Sequence, residues 1–364
     1  MIRLSAIKPD DSLEDLYKQY SNGFRKAVDR VFGDERPELA DQLRANVSRF
    51  SAYKAAYVRR EIDSIRDDPN IPEGEKQQHT KAAVSQFSRW TDAELTTATA
   101  RARTAKQFSE YNDPDRLRLF PNLRWIPSRS AAPRAAHVPF YNRVWAKDDN
   151  FWTNHSPGTE WNCKCDIEET DDAVTDNKEV KPSEAPRGLE GNPAKTGEIF
   201  TDKASYIRET SRTKGKQVVK MMNNIEWLRT KNDKEKRERF KQMDSSCVIV
   251  NEKREVAIIS ETYGEISHAM AFSENHVLKN EGIELIPEWL KNAECVGRKE
   301  SDASHNTGKT KRLKERTDYF YYFKTKLFGK YDCYIHVGRY REDKRLYLYT
   351  IAEGEPKDLE SPIW

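Results

Sequence analysis

Long apolar runs are missing from this chain. No stretch approaches the ~20 apolar residues that a membrane-spanning helix requires, so no membrane partner is expected. Met1-Ile2-Arg3-Leu4 passes quickly into Lys8-Pro9-Asp10-Asp11, which leaves no apolar core for a secretion signal. Cysteine is scarce, with five in 364 residues. An odd count, with Cys247, Cys295 and Cys333 in apolar surroundings, argues against a disulfide framework and for a reducing cytoplasm. Neither sign of charge dominates, at 63 Lys+Arg against 60 Asp+Glu. The chain contains no Gly-x-x-x-x-Gly-Lys-Ser/Thr, no His-Glu-x-x-His and no Gly-x-Ser-x-Gly. Gly308-Lys309-Thr310 lacks the upstream glycine of a phosphate loop, and no internal repeat is present.

The length suits two or three domains, and aromatics at 10% can supply their cores. The near-neutral total hides an asymmetry. Asp166 to Glu190 holds nine acids against three bases, and Arg298 to Arg345 holds fourteen bases against seven acids. Residues 12–108 read as helical. Ser12-Leu13-Glu14-Asp15 has the form of a capping box, and Leu16, Tyr20, Phe24 and Val28 recur at helical spacing. A second helix is expected from about Pro37 to Asp67, and a third from Pro72 through Phe87 and Trp90. Residues 113–165, irregular in Pro, Trp and Arg, read as a loop-rich end to this first domain. The acidic stretch 166–190 reads as an exposed connection and 203–242 as a charged, solvated helix.

The last domain is expected from Ser245. Cys247–Val250 and Val256–Ile259 suit a hairpin, and a helical region covers 268–292. Three strand-like runs then follow, Tyr319–Lys326, Tyr331–Val337 and Arg345–Ile351. The expected class is a mainly α domain followed by an α+β domain of helices packed on an antiparallel sheet.

Two groups of residues carry chemistry. In the first domain His137, His155, Cys163 and Cys165 are soft or borderline metal ligands, with Asp148 as an alternative to His155. Two readings stand: a structural zinc in a region short of backbone pairing, or buried small thiols beside a packed histidine. In the last domain His268, His276, His305 and His336 accompany Lys279, Lys309, Lys311, Arg312, Lys314, Arg316, Arg339, Tyr322, Lys324 and Thr350. Cleavage of RNA through its own 2′-hydroxyl needs a base, an acid and cations on the phosphorane, and no metal. A sheet bearing Lys324, His336 and Thr350, facing a helix that bears His276, would present these groups to one phosphate. Lys309, Lys311, Arg312, Lys314 and Arg316 would supply salt-dependent phosphate contact. The plainer reading is that His336 faces the core and the lysines are solvated.

Arg124-Trp125-Ile126-Pro127-Ser128, Pro133-Arg134, His137, Asp148-Asp149, Phe151-Trp152, Pro157-Gly158 and Trp161-Asn162-Cys163-Lys164-Cys165 follow one another in that order. They resemble the end of the phage Mu F-like minor head (head morphogenesis) domain, over residues 1–170. Residues 245–364, with His276 ahead of Ile286-Pro287-Glu288-Trp289-Leu290, a basic loop and the meander, resemble the phage-borne barnase–EndoU–colicin–RelE-like nucleases. The resemblance implies a virion or procapsid protein, met also in the bacterial host cytoplasm, with portal and capsid proteins as partners. It also implies a C-terminal toxin-like ribonuclease acting on RNA, DNA being a further polyanion it would meet, with an immunity protein as inhibitor. On this account His276, His268, Lys279, Arg339 and Thr350 are catalytic and 171–244 is a connector. The alternative is a purely structural morphogenesis protein whose last domain binds nucleic acid or a head protein without catalysis.

Overall fold

Ser12 starts the first helix by the expected capping box: its hydroxyl accepts from the Asp15 N–H while the Asp15 carboxylate accepts from the Ser12 N–H. In the computed structural model the described residues are all except 1–6, 34, 36–37, 182–183, 244–246, 251–253, 269–274 and 363–364. Pro37, Ser245 and the turn after Val250 therefore lie outside the described residues. The chain divides into two units, Met1–Met222 and Asn223–Trp364.

The first unit is built on α1 (Leu13–Phe32), α2 (Glu38–Asp67) and α3 (Glu73–Tyr111). Leu16, Tyr20, Phe24 and Val28 of α1 meet Leu43, Val47 and Phe50 of α2 in a core from which water is excluded. After the short α4 (Pro114–Leu119), residues expected as loops form a small antiparallel sheet, with β1 (Asn122–Ile126) between β2 (Val144–Ala146) and β3 (Asp166–Thr170). Aromatic packing explains why so short a sheet holds. Trp125 and Trp152 are nearly parallel at 6.2 Å, Trp145 stacks on Phe151 at 4.1 Å, and Phe108 of α3 meets Trp152 edge-on. The helix α5 (Phe151–Asn154) carries Phe151 and Trp152 of this cluster.

Of the acidic stretch 166–190, the described residues of 171–184 are largely exposed, and the chain from Gly188 to Phe200 folds back onto the helices. Leu189, Ile199 and Phe200 are buried, and Phe200 stacks on Phe50 at 3.9 Å. Asn46 of α2 accepts from the N–H groups of Ile199 and Phe200 and donates to the Phe200 carbonyl. The fully buried Arg101 of α3 donates to the carbonyls of Leu189 and Gly191. These backbone groups would otherwise be buried without partners, which fixes the segment despite its acidity. The single turns α6 (Pro193–Thr196) and α7 (Ser205–Arg208) follow. The charged helical stretch is α8 (Arg212–Asn232) and α9 (Lys234–Gln242), separated by the capping residue Asp233. It is not solvated throughout, since Val218, Met222 and Phe240 are buried.

The second unit is α+β, as expected. Its six-stranded sheet has the order β4-β5-β9-β8-β7-β6, with β4 (Cys247–Val250), β5 (Arg254–Ala257), β6 (Glu294–Glu300), β7 (Thr317–Leu327), β8 (Tyr331–Tyr340) and β9 (Leu346–Ala352). All neighbours are antiparallel except β5 and β9. The helices are α10 (Tyr263–Ser267), α11 (His276–Glu281), α12 (Ile286–Lys291) and α13 (Gly308–Glu315). The long basic loop expected after Gly297 thus becomes part of an edge strand and a helix.

Gly158 tests the first unit's packing. Its φ is +88°, and a Cβ there would lie 2.9 Å from Arg101 Cγ and 3.0 Å from the Arg101 nitrogen. Gly158→Ala is expected to cost roughly 2–4 kcal/mol, from left-handed strain plus overpacking against backbone. Thermal unfolding measures it, and an unchanged melting temperature would refute the close approach.

Candidate functional site

His137 sits on a 3₁₀ turn (Ala135–Phe140), and the two thiols arrive on the turn into β3. Asn162 takes a φ of +59° just before Cys163, a left-handed kink that asparagine tolerates. The Sγ atoms of Cys163 and Cys165 lie 3.7 and 3.5 Å from His137 Nδ1. All three ligand atoms fall within 4.8 Å of one another, and all three residues are buried. Hydrogen bonding from Cys165 and His137 holds the Cys163 thiol below its usual range. The Trp125 N–H and the Tyr141 hydroxyl face Cys165. Tetrahedral bonds of ~2.3 Å to sulfur and ~2.1 Å to nitrogen require ligand separations of about 3.5–3.8 Å, the range of both Sγ–Nδ1 distances, so the group could hold a metal ion. His155 and Asp148 do not join it. The His155 ring packs on Phe151 at 5.4 Å, and Asp148 is exposed.

In the second unit, strand alternation separates the residues expected to act together. His336 lies opposite Tyr322 on one side and Thr350 on the other. The Tyr322 and His336 rings meet edge-on at 4.6 Å. Lys324, two residues from Tyr322, shares their face and is exposed. His276 instead packs with Cys333, Leu327 and Ile351, whose side chains leave the opposite face. The sheet itself therefore stands between His276 and His336.

His276 is 1% exposed, and burial first, then Lys279 and His268, pushes its pKa down to about 2. Its Nε2 faces the Asn280 amide at 3.1 Å, and its Nδ1 has no partner among the described residues. Among the described residues this imidazole is enclosed in the core. Lys279, its pKa pushed down to about 7 by burial, donates to the carbonyls of Ile266 and His268. His268 is exposed, with its ring against Trp227 at 5.0 Å. Arg339 grips both oxygens of Asp318 at 2.9 Å, and Lys344 joins them, so that guanidinium is occupied in joining β7 to the β8–β9 turn. Thr350 donates to the Glu265 carbonyl at 3.0 Å. Of the five expected catalytic residues, Thr350 is the one that pairs directly with His336 across the sheet.

Of the basic helix α13, Lys309, Lys311 and Arg312 are exposed, and Arg316, just past its end, lies over the Tyr340 ring at 5.2 Å. Lys314 turns inward, near enough to His336 to disfavour its protonation. Burial and then Lys314 push the His336 pKa down to about 4. Burial raises the Tyr322 pKa, which keeps that hydroxyl protonated. The sequence reading did not single out Glu265. Its carboxylate accepts from the Thr310 hydroxyl and bonds the side chain of Tyr349 on the same side of the sheet. A lone glutamate on a short helix gives no pattern by which to find it.

Comparison with protein-family models, with curated proteins and with solved structures finds no match to this chain.

Proposed function

We propose that this chain is a phage head-associated protein whose second unit binds and cleaves RNA on the sheet face bearing Tyr322, Lys324, His336 and Thr350. The observation that carries the reading is the register of His336 with Tyr322 and Thr350, with Lys314 alongside. A neutral imidazole is ready to take the 2′-hydroxyl proton. The protonated Tyr322 hydroxyl can donate to the leaving oxygen, and Lys314 and Lys324 oppose the charge that grows on the phosphorane. His276, Lys279 and Arg339 act in the fold, and Lys309, Lys311, Arg312 and Arg316 draw in the polyanion. The portal and capsid association of the first unit, and delivery into a host cell, rest on the sequence resemblance alone.

Binding without cleavage is the second reading, favoured by the occupation of Arg339 and Lys279 with internal partners. Full-length protein with RNA and a chelator separates the two. Cleavage is expected, DNA is expected to be spared, and His336→Ala is expected to lower the rate by about 10²–10⁴-fold. His276→Leu should retain activity. Since the base has a folded pKa of about 4, it is active above that pH and lost below it. The acid limb of kcat/KM should therefore lie near pH 4, below the ~6.5 of a free histidine. Binding with no cleavage between pH 4 and 9 would leave the non-catalytic reading.

In the first unit we propose that His137, Cys163 and Cys165 hold a structural zinc ion, which would tie the 3₁₀ turn to β3. Metal analysis is expected to give about one zinc per chain, lost when Cys163 and Cys165 are both changed to Ser. A native protein without zinc, whose melting temperature a chelator leaves unchanged, would leave only packed thiols.

A further inference from the structure

A second cavity lies wholly within the first unit, about 490 Å³ in volume, walled by Tyr57, Trp90, Trp161 and Tyr206. That size falls in the range of small-ligand sites. Trp90 is 39% exposed and lines the cavity, its ring edge-on to the buried Phe87 at 5.6 Å. At the floor the charges are already matched. The fully buried Lys54 ammonium lies 2.7 Å from Glu94, and the Tyr206 hydroxyl donates to the same carboxylate at 2.7 Å. The floor is thus rigid and carries no net charge.

The rim is different. Arg187, Lys203 and Arg208 face Glu209 alone among acids of the lining apart from the paired Glu94. Arg208 reaches Glu209 only at 3.5 Å and Lys203 reaches Glu190 only at 3.8 Å, both in exposed pairs of the weak kind. Flat aromatic walls below a cationic rim fit a ligand that is planar and apolar at one end and anionic at the other.

We infer that this cavity binds a nucleoside phosphate, the base between the aromatic walls and the phosphate on Arg187, Lys203 and Arg208. The ligand is either a free mononucleotide or the 5′-phosphorylated end of a single strand. Base stacking on such walls is sequence-tolerant, so the site selects for phosphate and ring, not for one base. It is independent of the sheet face in the second unit.

Tryptophan fluorescence of the full chain, titrated with AMP, tests it. AMP is expected to quench saturably, with adenosine and inorganic phosphate each about tenfold weaker or worse. Arg187→Ala with Lys203→Ala should weaken AMP roughly tenfold and flatten its salt dependence. Trp90→Leu, with its melting temperature checked because the ring also packs on Phe87, should weaken AMP similarly when followed by calorimetry. A 5′-phosphorylated oligonucleotide that binds far more tightly than AMP assigns the site to strand ends, and equal affinities assign it to free nucleotide. Equal binding of AMP and adenosine, or unchanged binding in both variants, overturns the inference. So does loss of AMP binding in Lys324→Ala/His336→Ala protein, since binding would then belong to the second unit. An acidic peptide that binds where AMP does not would overturn it in favour of a protein partner.

Discussion

Alternation of side chains along β8 and β9 decides what the second unit can do. With period two, His336 and Thr350 leave one face while Cys333, Ile335 and Ile351 leave the other. The apolar side takes α11 and α12, and His276 goes with them. The opposite side keeps a histidine, a tyrosine and two lysines within reach of solvent. A register slip of one residue would exchange the two sets and bury the charged one. The bulge between His336 and Val337 leaves Tyr349 unpaired on β9 and keeps Tyr347 on the His336 face.

In the first unit the corresponding constraint is the buried guanidinium of Arg101. It satisfies carbonyls of the returning segment and sets the floor on which Gly158 rests. Burying such a charge is costly unless it is well hydrogen-bonded, and its two terminal nitrogens bond carbonyls of residues 189–198, which ties α3, the Pro157-Gly158 turn and that segment into one arrangement. The His137–Cys163–Cys165 group is positioned by the same turn and by the Trp125–Trp152 cluster. The proposed metal would thus act on the same stretch that the aromatic packing stabilises.

Much of this was legible in the residues. The Ser12–Asp15 cap and the spacing of Leu16, Tyr20, Phe24 and Val28 gave the first helix, and the three strand-like runs became β7, β8 and β9. The histidine and thiols of the metal group were nameable because few residue types bind soft metals. His155 was not excludable, since its distance from His137 depends on how α5 packs. The acidic stretch read as exposed, and 171–184 largely is, but composition does not reveal that Asn46 and Arg101 await the backbone groups of 189–200 just beyond it. The burial of His276 was hidden for a related reason. Histidine on a helix beside lysine suits catalysis and core alike, and only the strand parity separates them.

The central claim is that ligand meets the His336 face and not His276. Histidine ring resonances of the full chain, followed by NMR during addition of an RNA oligonucleotide with 2′-deoxy substitution at each cleavable position, test this most directly. The account predicts progressive shifts at His336, with His276 unmoved. Shifts at His276 with His336 silent would contradict it.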